Sequence, residues 1–372
     1  MLSSLLLAAG IWALAVGEGE RRQLAARSLR TMLGPPAPAA RSLELEAEPP
    51  VTGEGELRIP MASAEPAPPP PSRPADLEGV SFVLLLGADN RNDRVVGRTD
   101  AMIVAGFRHR DGKVAAFSIP RDLWVPLPDV GTLHEQGRDH ARVSSVVRVG
   151  EVRIGVGEGL PLLRRTLQDQ LGIRIDRYAR VDFAGFTGLI DHLGGVDVDV
   201  ECPIMDCFWI DGTDKPCVMM QVDAGRTHMD GATALAFVRS RHGTGDRELT
   251  KRQQAVILAL ARKAKAHGLR GLPGLWRRAQ PFVDSDLEAD DALYYGSFAL
   301  EQELSAIGGF AIGGEMIDKH VTEDGKHVLL LDRQAFDRAL AGLFDGELPA
   351  LRGRKQCPDA EAALEWRAGK DR

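Results

Sequence analysis

Charged side chains follow three of the apolar runs in this 372-residue sequence. The run SFVLLL leads into a loop, GADNRNDRVVGRTD, that carries the carboxylates of Asp89 and Asp100. A later run ends in SIPRDLW, which contains Arg121, and the run ALAFV ends in RSRHGTGDRELTKRQQ. The arginines and the lysine of that last segment are Arg239, Arg241, Arg247, Lys251 and Arg252. Because ligands of open α/β sheets bind outside the carboxyl ends of strands, the three segments predict one binding site.

The residue types at this predicted site favour phosphate chemistry assisted by a metal ion. Arginine guanidiniums match the geometry of phosphate oxygens, and Arg239 and Arg241, two apart on a predicted strand, would share one face. Asp89 and Asp100 would repel a phosphate unless a cation lay between them, and oxygen ligands combined with phosphate favour Mg²⁺. The alternative interpretation is a set of ordinary salt-bridged surface loops.

The start of the next predicted helix adds to the case for an anion. Thr250 and Gln253 form a T-x-x-Q capping box, which predicts a helix that begins at Lys251. Lys251 and Arg252 would then lie in the first turn, where cations oppose the helix dipole. An anion bound at the helix start would explain this placement.

Other functional classes lack their signatures in this sequence. There is no GxxxxGK(S/T) phosphate loop, no GxSxG elbow and no HExxH metal helix. The net charge of −7 argues against a general nucleic-acid binder, so no nucleic-acid partner is expected.

Buried strands mixed with amphipathic helices indicate a layered α/β domain. The predicted strands are SFVLLL (81–86), AMIVAGF (101–107), KVAAFSI (113–119), VDVDV (196–200) and ALAFVRS (234–240), and HRDG forms a hairpin turn between the second and third. The predicted helices cover 159–172, a stripe with Phe183, Phe186 and Leu189, and a segment from Thr250 to about His267.

The N-terminal region divides into an apolar segment and a proline-rich spacer. Residues 1–17 contain no charge, which favours an uncleaved membrane anchor or a cleaved signal peptide over a core helix. Residues 18–78 hold most of the prolines and predict either a semi-rigid extended stalk or a disordered spacer, in both cases without a core. The globular domain is expected at 79–345, followed by a polar, frayed tail at 346–372.

The four cysteines favour a disulfide over a zinc site. Export places the chain in an oxidising compartment, and the sequence has no CxxC pair. We expect Cys217 to be bonded to Cys202 or Cys207, although four cysteines allow three pairings.

Six segments of the chain together resemble the LytR-CpsA-Psr family. They are VLLLGADNR (83–91), GRTDAM (97–102), SIPRDLWV (118–125), LGGVDVDV (193–200), GRTHMDGATALAFVRSRH (225–242) and DRELTKRQQ (246–254). The resemblance covers residues 80 to about 270 and implies a layered α-β-α sandwich around a mixed central sheet. It also implies a membrane-anchored protein whose extracytoplasmic domain transfers glycopolymers from polyprenyl-pyrophosphate carriers onto peptidoglycan with Mg²⁺.

The resemblance assigns roles to individual residues. The metal carboxylates of the family correspond to Asp89 and Asp100, and Asp100 is also a candidate to activate the acceptor hydroxyl. The pyrophosphate-binding arginines correspond to Arg91, Arg121, Arg239, Arg241, Arg247 and Arg252. The residues expected to carry catalysis are Asp100, Arg121, Arg239 and Arg241.

Some features remain open at this level. After the Pro-Arg-Asp segment the chain departs from the family pattern and reads RVSSVVRVGEVRIGVGEG, which bears on the choice of acceptor. The helices with Leu160, Leu163 and Leu167 and with Phe183, Phe186 and Leu189 would either line a tunnel for the polyprenyl tail or pack in the core. Two alternatives to the transferase remain: the protein would be a periplasmic pyrophosphatase or a non-catalytic scaffold that binds glycopolymer.

Overall fold

A computed structural model describes residues 27, 30, 31, 35, 77–89, 97–128, 139–208, 218–240, 246–352 and 357. The predicted anchor, Arg91, Arg241 and Cys217 lie outside the described residues, as does most of the predicted stalk. Among the helices that are described, none is both long enough and apolar enough to cross a bilayer.

The first five described strands precede the first α-helix, and strands and helices are mixed along the rest of the described chain. The strands are β1 (Val80–Asp89), β2 (Arg98–Arg108), β3 (Lys113–Ser118), β4 (Trp124–Pro126), β5 (His140–Arg142), β6 (Arg177–Asp182), β7 (Val196–Val200), β8 (Ile204–Phe208), β9 (Val218–Val222), β10 (Gly225–Met229), β11 (Asp284–Ser285), β12 (Gly308–Ala311), β13 (Ile317–Val321) and β14 (His327–Leu331). The helices are α1 (Val146–Val149), α2 (Gly159–Leu171), α3 (Phe183–His192), α4 (Gly231–Arg239), α5 (Asp246–Ala279), α6 (Ala289–Glu301) and α7 (Arg333–Ala341).

A six-stranded sheet in the order β11-β6-β1-β2-β3-β12 forms the centre of the domain. β1 is parallel to β6 and antiparallel to β2, and β3 is antiparallel to β2 and parallel to β12. The turn between β2 and β3 uses Gly112 at φ 72°, a conformation that other residues rarely adopt. The mixed sheet and the hairpin are therefore confirmed.

Helices cover both faces of this sheet because β1 is apolar on both sides. On one face, Phe82 belongs to the same buried cluster as Leu163 of α2 and Phe336 of α7. On the other face, Val83 packs with Phe298 of α6. The layered α-β-α arrangement is confirmed.

The segment ALAFVRS is helical, so its prediction as a strand is wrong. Asp230 caps α4, since its side chain accepts a hydrogen bond from the backbone N–H of Thr233 at 2.8 Å. Ala234 and Phe237, three apart, are the side chains that α4 buries. A short apolar run fits either a buried strand or a helix, and the Asp cap with two alanines favours the helix.

The long helix α5 begins at Asp246, not at Lys251, so the capping-box interpretation is also wrong. Thr250 lies inside the helix, and the first turn carries the acidic residue Glu248, which suits the positive end of the dipole. The predicted end near His267 agrees with a kink at Gly268, where φ is 62°.

Lys251 and Arg252 lie on the buried face of α5. Nη2 of Arg252 donates to the backbone carbonyl of Ser240, and the residue is 8% exposed. Nζ of Lys251 donates to the carbonyl of Arg352 at 2.9 Å and lies 3.5 Å from Oε2 of Glu201. These cations hold neighbouring chain segments, so their positions need no anion at the helix start.

The segment after residue 345 is packed as far as Arg352, which corrects the prediction of a frayed tail. Leu348 is buried, and the N–H of Ala350 donates to Oε1 of Gln254 at 3.2 Å. Cys357 forms a disulfide with Cys202, with the Cα atoms 5.4 Å apart.

This disulfide rules out Cys202 as the partner of Cys217. The side chain of Cys207, like Cys217, lies outside the described residues. The contacts of Lys251 and Gln254 with the C-terminal segment explain why Cys357 returns to the domain, and no local spacing could have predicted it.

Residues of the predicted stalk also contact the domain, and Nε of Arg27 lies 3.6 Å from Oε1 of Glu301. The guanidinium of Arg30 lies 4.0 Å from the centre of the Phe298 ring and pairs with Glu301. Leu77 is buried in the main core cluster. Residues 18–78 therefore do not form a stalk that is separate from the core, and a fragment that starts at residue 78 loses these contacts.

Replacing Arg252 by Gln should lower the stability of the ligand-free protein. The substitution removes a charge-assisted hydrogen bond to a buried carbonyl, which is worth about 1.5–3 kcal/mol. Urea denaturation without ligand measures the change. Arg262 of the same helix is a control because it forms an exposed pair with Asp199 at 2.7 Å, and Arg262→Gln should cost less than about 1 kcal/mol. An Arg252→Gln protein as stable as the wild type would contradict this packing.

Replacing Cys357 by Ser should lower the free energy of unfolding by about 3–5 kcal/mol, because the disulfide constrains a long loop in the unfolded chain. Denaturation under identical non-reducing conditions measures the loss. Peptide mapping of the non-reduced wild type should find Cys202 joined to Cys357, and a map that joins Cys202 to Cys207 or Cys217 would contradict the assignment.

Candidate active site

Asp89 and Asp100 reach the same edge of the sheet through an irregularity in the β1–β2 ladder. Gly87 pairs with Ala101, but Ala88 pairs with Thr99, so Asp100 has no residue directly opposite it. A bulge of this kind adds one residue and redirects a side chain. Gly87 permits it, because a Cβ there would lie 3.0 Å from the Cβ of Ala101. Both carboxylates are partly exposed.

Arg121 meets Asp100 at this edge. β3 runs in the same direction as β1 and ends at Ser118, so the following Pro120-Arg121-Asp122 segment lies beside the start of β2. Nη1 of Arg121 donates to Oδ1 of Asp100 at 3.2 Å, and the two side chains are 33% and 35% exposed. The structure therefore brings together two of the residues that the sequence assigns to the site.

Arg239 lies at the same edge, but it is placed there by a helix and not by the strand that the sequence predicted. β6 is parallel to β1, and its last residue, Asp182, pairs with Ala88. The next residue, Phe183, begins α3. The guanidinium of Arg239 stacks on the Phe183 ring, 4.3 Å from its centre. Phe183 thus packs against an arginine side chain. The sequence predicted Phe183 only as part of an apolar helix face and gave no sign of this contact.

Close packing of α3 against α4 holds this stacked pair. Gly231 at the start of α4 lies against the backbone of Thr187, and a Cβ at Gly231 would be 2.3 Å from the Thr187 carbonyl oxygen. Asp191 Oδ1 accepts a hydrogen bond from the Gly231 N–H at 2.6 Å. The start of α4 is thereby fixed to α3, and Arg239 at its end is held next to Phe183.

Arg252 fixes the backbone next to Arg239. Its guanidinium binds the carbonyl of Ser240, the residue after Arg239. Oγ of Ser240 donates to Oδ2 of Asp206 at 2.8 Å. These bonds fix the backbone where the chain leaves α4, so the contact shown by the structure is a supporting one.

The structure shows no contact of the remaining predicted arginines with the other residues of the site among the residues that it describes. Arg247 is exposed in the first turn of α5. Arg91 and Arg241 lie outside the described residues, and the predicted shared strand face of Arg239 and Arg241 does not exist because Arg239 ends a helix.

The residues considered for a lipid tunnel serve mainly as core. Leu163 and Leu167 are fully buried in the main cluster, and Leu160 packs against it. Phe186 packs against a second cluster, and Leu189 is buried. Their contacts agree with the core-packing alternative.

The two carboxylates offer a donor set that suits Mg²⁺ only in part. In the portion of the chain that is described, no group of three or more His, Cys, Asp or Glu residues could hold a metal ion. Mg²⁺ commonly uses one or two carboxylates and completes its shell with water and substrate phosphates. Asp89 and Asp100 fit that pattern, since both are partly exposed at one end of the sheet and Asp100 pairs with Arg121.

Comparison with known proteins identifies the family. The model of the LytR_cpsA_psr family matches residues 70–343. The probable cell wall biosynthesis protein LcpB of Corynebacterium glutamicum is 30% identical over 214 residues, which are 54% of this chain and 45% of that protein. The polyisoprenyl-teichoic acid–peptidoglycan teichoic acid transferase TagU of Oceanobacillus iheyensis is 33% identical over 184 residues, which are 49% of this chain and 51% of that protein.

A solved structure agrees with the fold. The crystal structure of B. subtilis TagV superposes with a TM-score of 0.58 at 22% identity and covers 72% of this chain and 98% of that chain. The matched part of the chain spans about half the length of the two curated relatives. With the mixed sheet, the bulged β1–β2 ladder and the Asp100–Arg121 edge already described, the family match shows that the chain belongs to the LytR_cpsA_psr family.

Proposed function

We propose that the protein is a phosphotransferase that moves a glycopolymer from a polyprenyl-pyrophosphate carrier onto a cell-wall acceptor such as peptidoglycan. The observation that carries this proposal is the meeting of Asp100 and Arg121 at the edge where Arg239 stacks on Phe183. The family membership and the transferase name of the TagU relative support it. Carboxylates next to arginines at a sheet edge suit a phosphate that also carries a cation.

In this proposal Arg121 and Arg239 bind the pyrophosphate group of the carrier. Guanidiniums bind phosphate oxygens with two parallel hydrogen bonds, and the Arg239 guanidinium lies over the Phe183 ring at this end of the sheet. Arg91, Arg241 and Arg247 are assigned to the same ligand from the sequence alone. Arg252 contributes by holding Ser240 and so the end of α4.

Asp89 and Asp100 are the residues that would hold Mg²⁺, which when bound would neutralise charge on the phosphates. Asp100 is also the proposed acceptor of the proton from the attacking hydroxyl. An Asp in this place would be oriented by Arg121, whose Nη1 binds its Oδ1.

The proposed reaction is a displacement at phosphorus. A hydroxyl oxygen of the acceptor bonds to the glycan-bearing phosphorus, and the bond from that phosphorus to the oxygen of the departing polyprenyl phosphate breaks. The hydroxyl proton passes to Asp100. Arg121 and Arg239 stabilise the negative charge that develops on the leaving phosphate.

We place this domain outside the cytoplasm, attached to the cell membrane through residues 1–17. The Cys202–Cys357 disulfide supports that placement, because such bonds persist in oxidising compartments.

Product analysis separates this function from its two alternatives. Incubation with a synthetic polyprenyl-pyrophosphate glycan, Mg²⁺ and an acceptor glycan should give acceptor-linked polymer and polyprenyl phosphate. Free glycan phosphate without linked product would indicate a hydrolase with water as acceptor. Binding without turnover would indicate a scaffold.

Asn at position 89 or 100 should reduce Mg²⁺-dependent turnover by at least about 100-fold, because each change removes a charged oxygen ligand and Asp100→Asn also removes the base. Initial rates at saturating Mg²⁺ measure the loss. Asp290→Asn is the control, since Asp290 is exposed in the first turn of α6, and it should retain the wild-type rate. Wild-type rates in both site variants would contradict the assignment.

A further inference from the structure

Two more charged side chains continue the line that begins with Asp100 and Arg121. Nε of Arg121 lies 3.5 Å from Oδ2 of Asp122, and Nε of Arg142 lies 3.3 Å from Oδ1 of the same carboxylate. The order is Asp100, Arg121, Asp122 and Arg142, with side chains 35%, 33%, 33% and 27% exposed. Asp122 thus lies between two guanidiniums, and neither it nor Arg142 has a role in the function proposed above.

The Asp122 carboxylate lies next to one buried nitrogen of each guanidinium. Nε of Arg121 and Nε of Arg142 are both buried, and neither has a hydrogen-bond partner among the described residues. Buried donors without partners are costly, especially on a charged group. The nearest compensation that the structure gives each of them is an oxygen of the single Asp122 carboxylate.

Arg142 is held in place from its other side. It pairs with Trp124 in the β4–β5 ladder, and its Nη2 donates to the carbonyl of His327 at 3.0 Å. The N–H of Leu329 donates to the carbonyl of Asp122 at 3.0 Å. The β13–β14 hairpin therefore fixes the backbone of Asp122 and the side chain of Arg142 together, which is the arrangement expected of a supporting layer around a binding residue.

Charge gives this arrangement a consequence for anion binding. Asp100 and Asp122 carry two negative charges, and Arg121 and Arg142 carry two positive charges. Without Arg142 the group has a net negative charge, and Asp122 can draw Arg121 away from Asp100 and from an incoming phosphate. With Arg142 present, the charge of Asp122 is balanced and Arg121 keeps its Nη1 directed to the Asp100 side.

We propose that Asp122 and Arg142 are positioning residues that orient Arg121 and balance its surroundings so that a pyrophosphate group can bind. The inference rests on the proposed function, because it takes Arg121 as a ligand of the carrier's pyrophosphate. Arg142 acts through Asp122 and does not itself touch the ligand.

A single variant and a double variant of the full chain test this coupling. The probe is inorganic pyrophosphate with Mg²⁺, titrated calorimetrically. Arg142→Gln should weaken pyrophosphate binding about tenfold, because it leaves Asp122 unbalanced beside the anion. The double variant Asp122→Asn with Arg142→Gln should recover to within about threefold of the wild type, since the unbalanced carboxylate is gone.

Arg333 provides a matched control. Its Nε donates to Oδ1 of Asp337 at 2.8 Å and its Nη1 donates to the carbonyl of Gln170 at 3.0 Å, so, like Arg142, it contacts a carboxylate through Nε and a backbone carbonyl through another nitrogen. Arg333→Gln should bind pyrophosphate as the wild type does. Ligand-free melts of every variant show whether each is folded, and the double variant keeps the test decisive if Arg142→Gln alone is unfolded.

The outcomes separate a failure of the proposed pyrophosphate site from a failure of the positioning role of Asp122 and Arg142. If the wild type fails to bind pyrophosphate, the proposed phosphate site is wrong and the inference falls with it. If the wild type binds and Arg142→Gln binds equally well, only the inference is overturned. If the double variant is as weak as Arg142→Gln, Arg142 contacts the ligand directly and the role through Asp122 is overturned. Weak binding by Arg142→Gln that is restored in the double variant supports the proposal.

Discussion

The ion pair between Asp100 and Arg121 is the interaction on which the proposed site depends. Both side chains are about one-third exposed, and pairs with such exposure contribute little to stability, typically about 0–1 kcal/mol. The fold nevertheless holds them together with a bulge in β2 and a short turn after β3. A weak pair held by rigid elements is better explained by ligand binding than by folding.

The elements around this pair are held in place by contacts with one another. β1, β3 and β6 all end at the same edge, so Asp89, Arg121 and Phe183 lie at one end of the sheet although they are far apart in sequence. Behind them, α5 holds the end of α4 through Arg252. The C-terminal segment is fixed in turn to α5 through Lys251 and Gln254, and to the start of β8 through the disulfide. The N-terminal and C-terminal regions thus contribute to the domain more than their composition suggests.

Local patterns sufficed for the parts of the fold that local physics determines. β1, β2 and β3 were predictable because each is a continuous apolar run bounded by turn residues. The segment 234–240 was not, because an apolar run of that length suits either state and the deciding contact is the Asp230 cap. The Thr250 capping box matched a pattern by chance, since the helix had already begun at Asp246.

The site was predictable in its residue types but not in its contacts. The arginines and aspartates that follow the apolar runs of the sequence indicate phosphate chemistry. The stacking of Arg239 on Phe183 depends on how α3 packs against α4, and the place of Arg142 depends on the β4–β5 pairing. Both are long-range consequences of the fold, as is the pairing of Cys202 with Cys357.

The central claim is that the edge formed by Asp89, Asp100 and Arg121 binds a phosphate ligand and a cation jointly. Calorimetric titration of the full chain with pyrophosphate, in the presence and absence of Mg²⁺, tests it most directly. Since the protein supplies two carboxylates and the phosphates must complete the metal's shell, Mg²⁺ should tighten pyrophosphate binding by at least about tenfold relative to titration in chelator. Pyrophosphate binding of equal strength with and without Mg²⁺ would contradict the joint site.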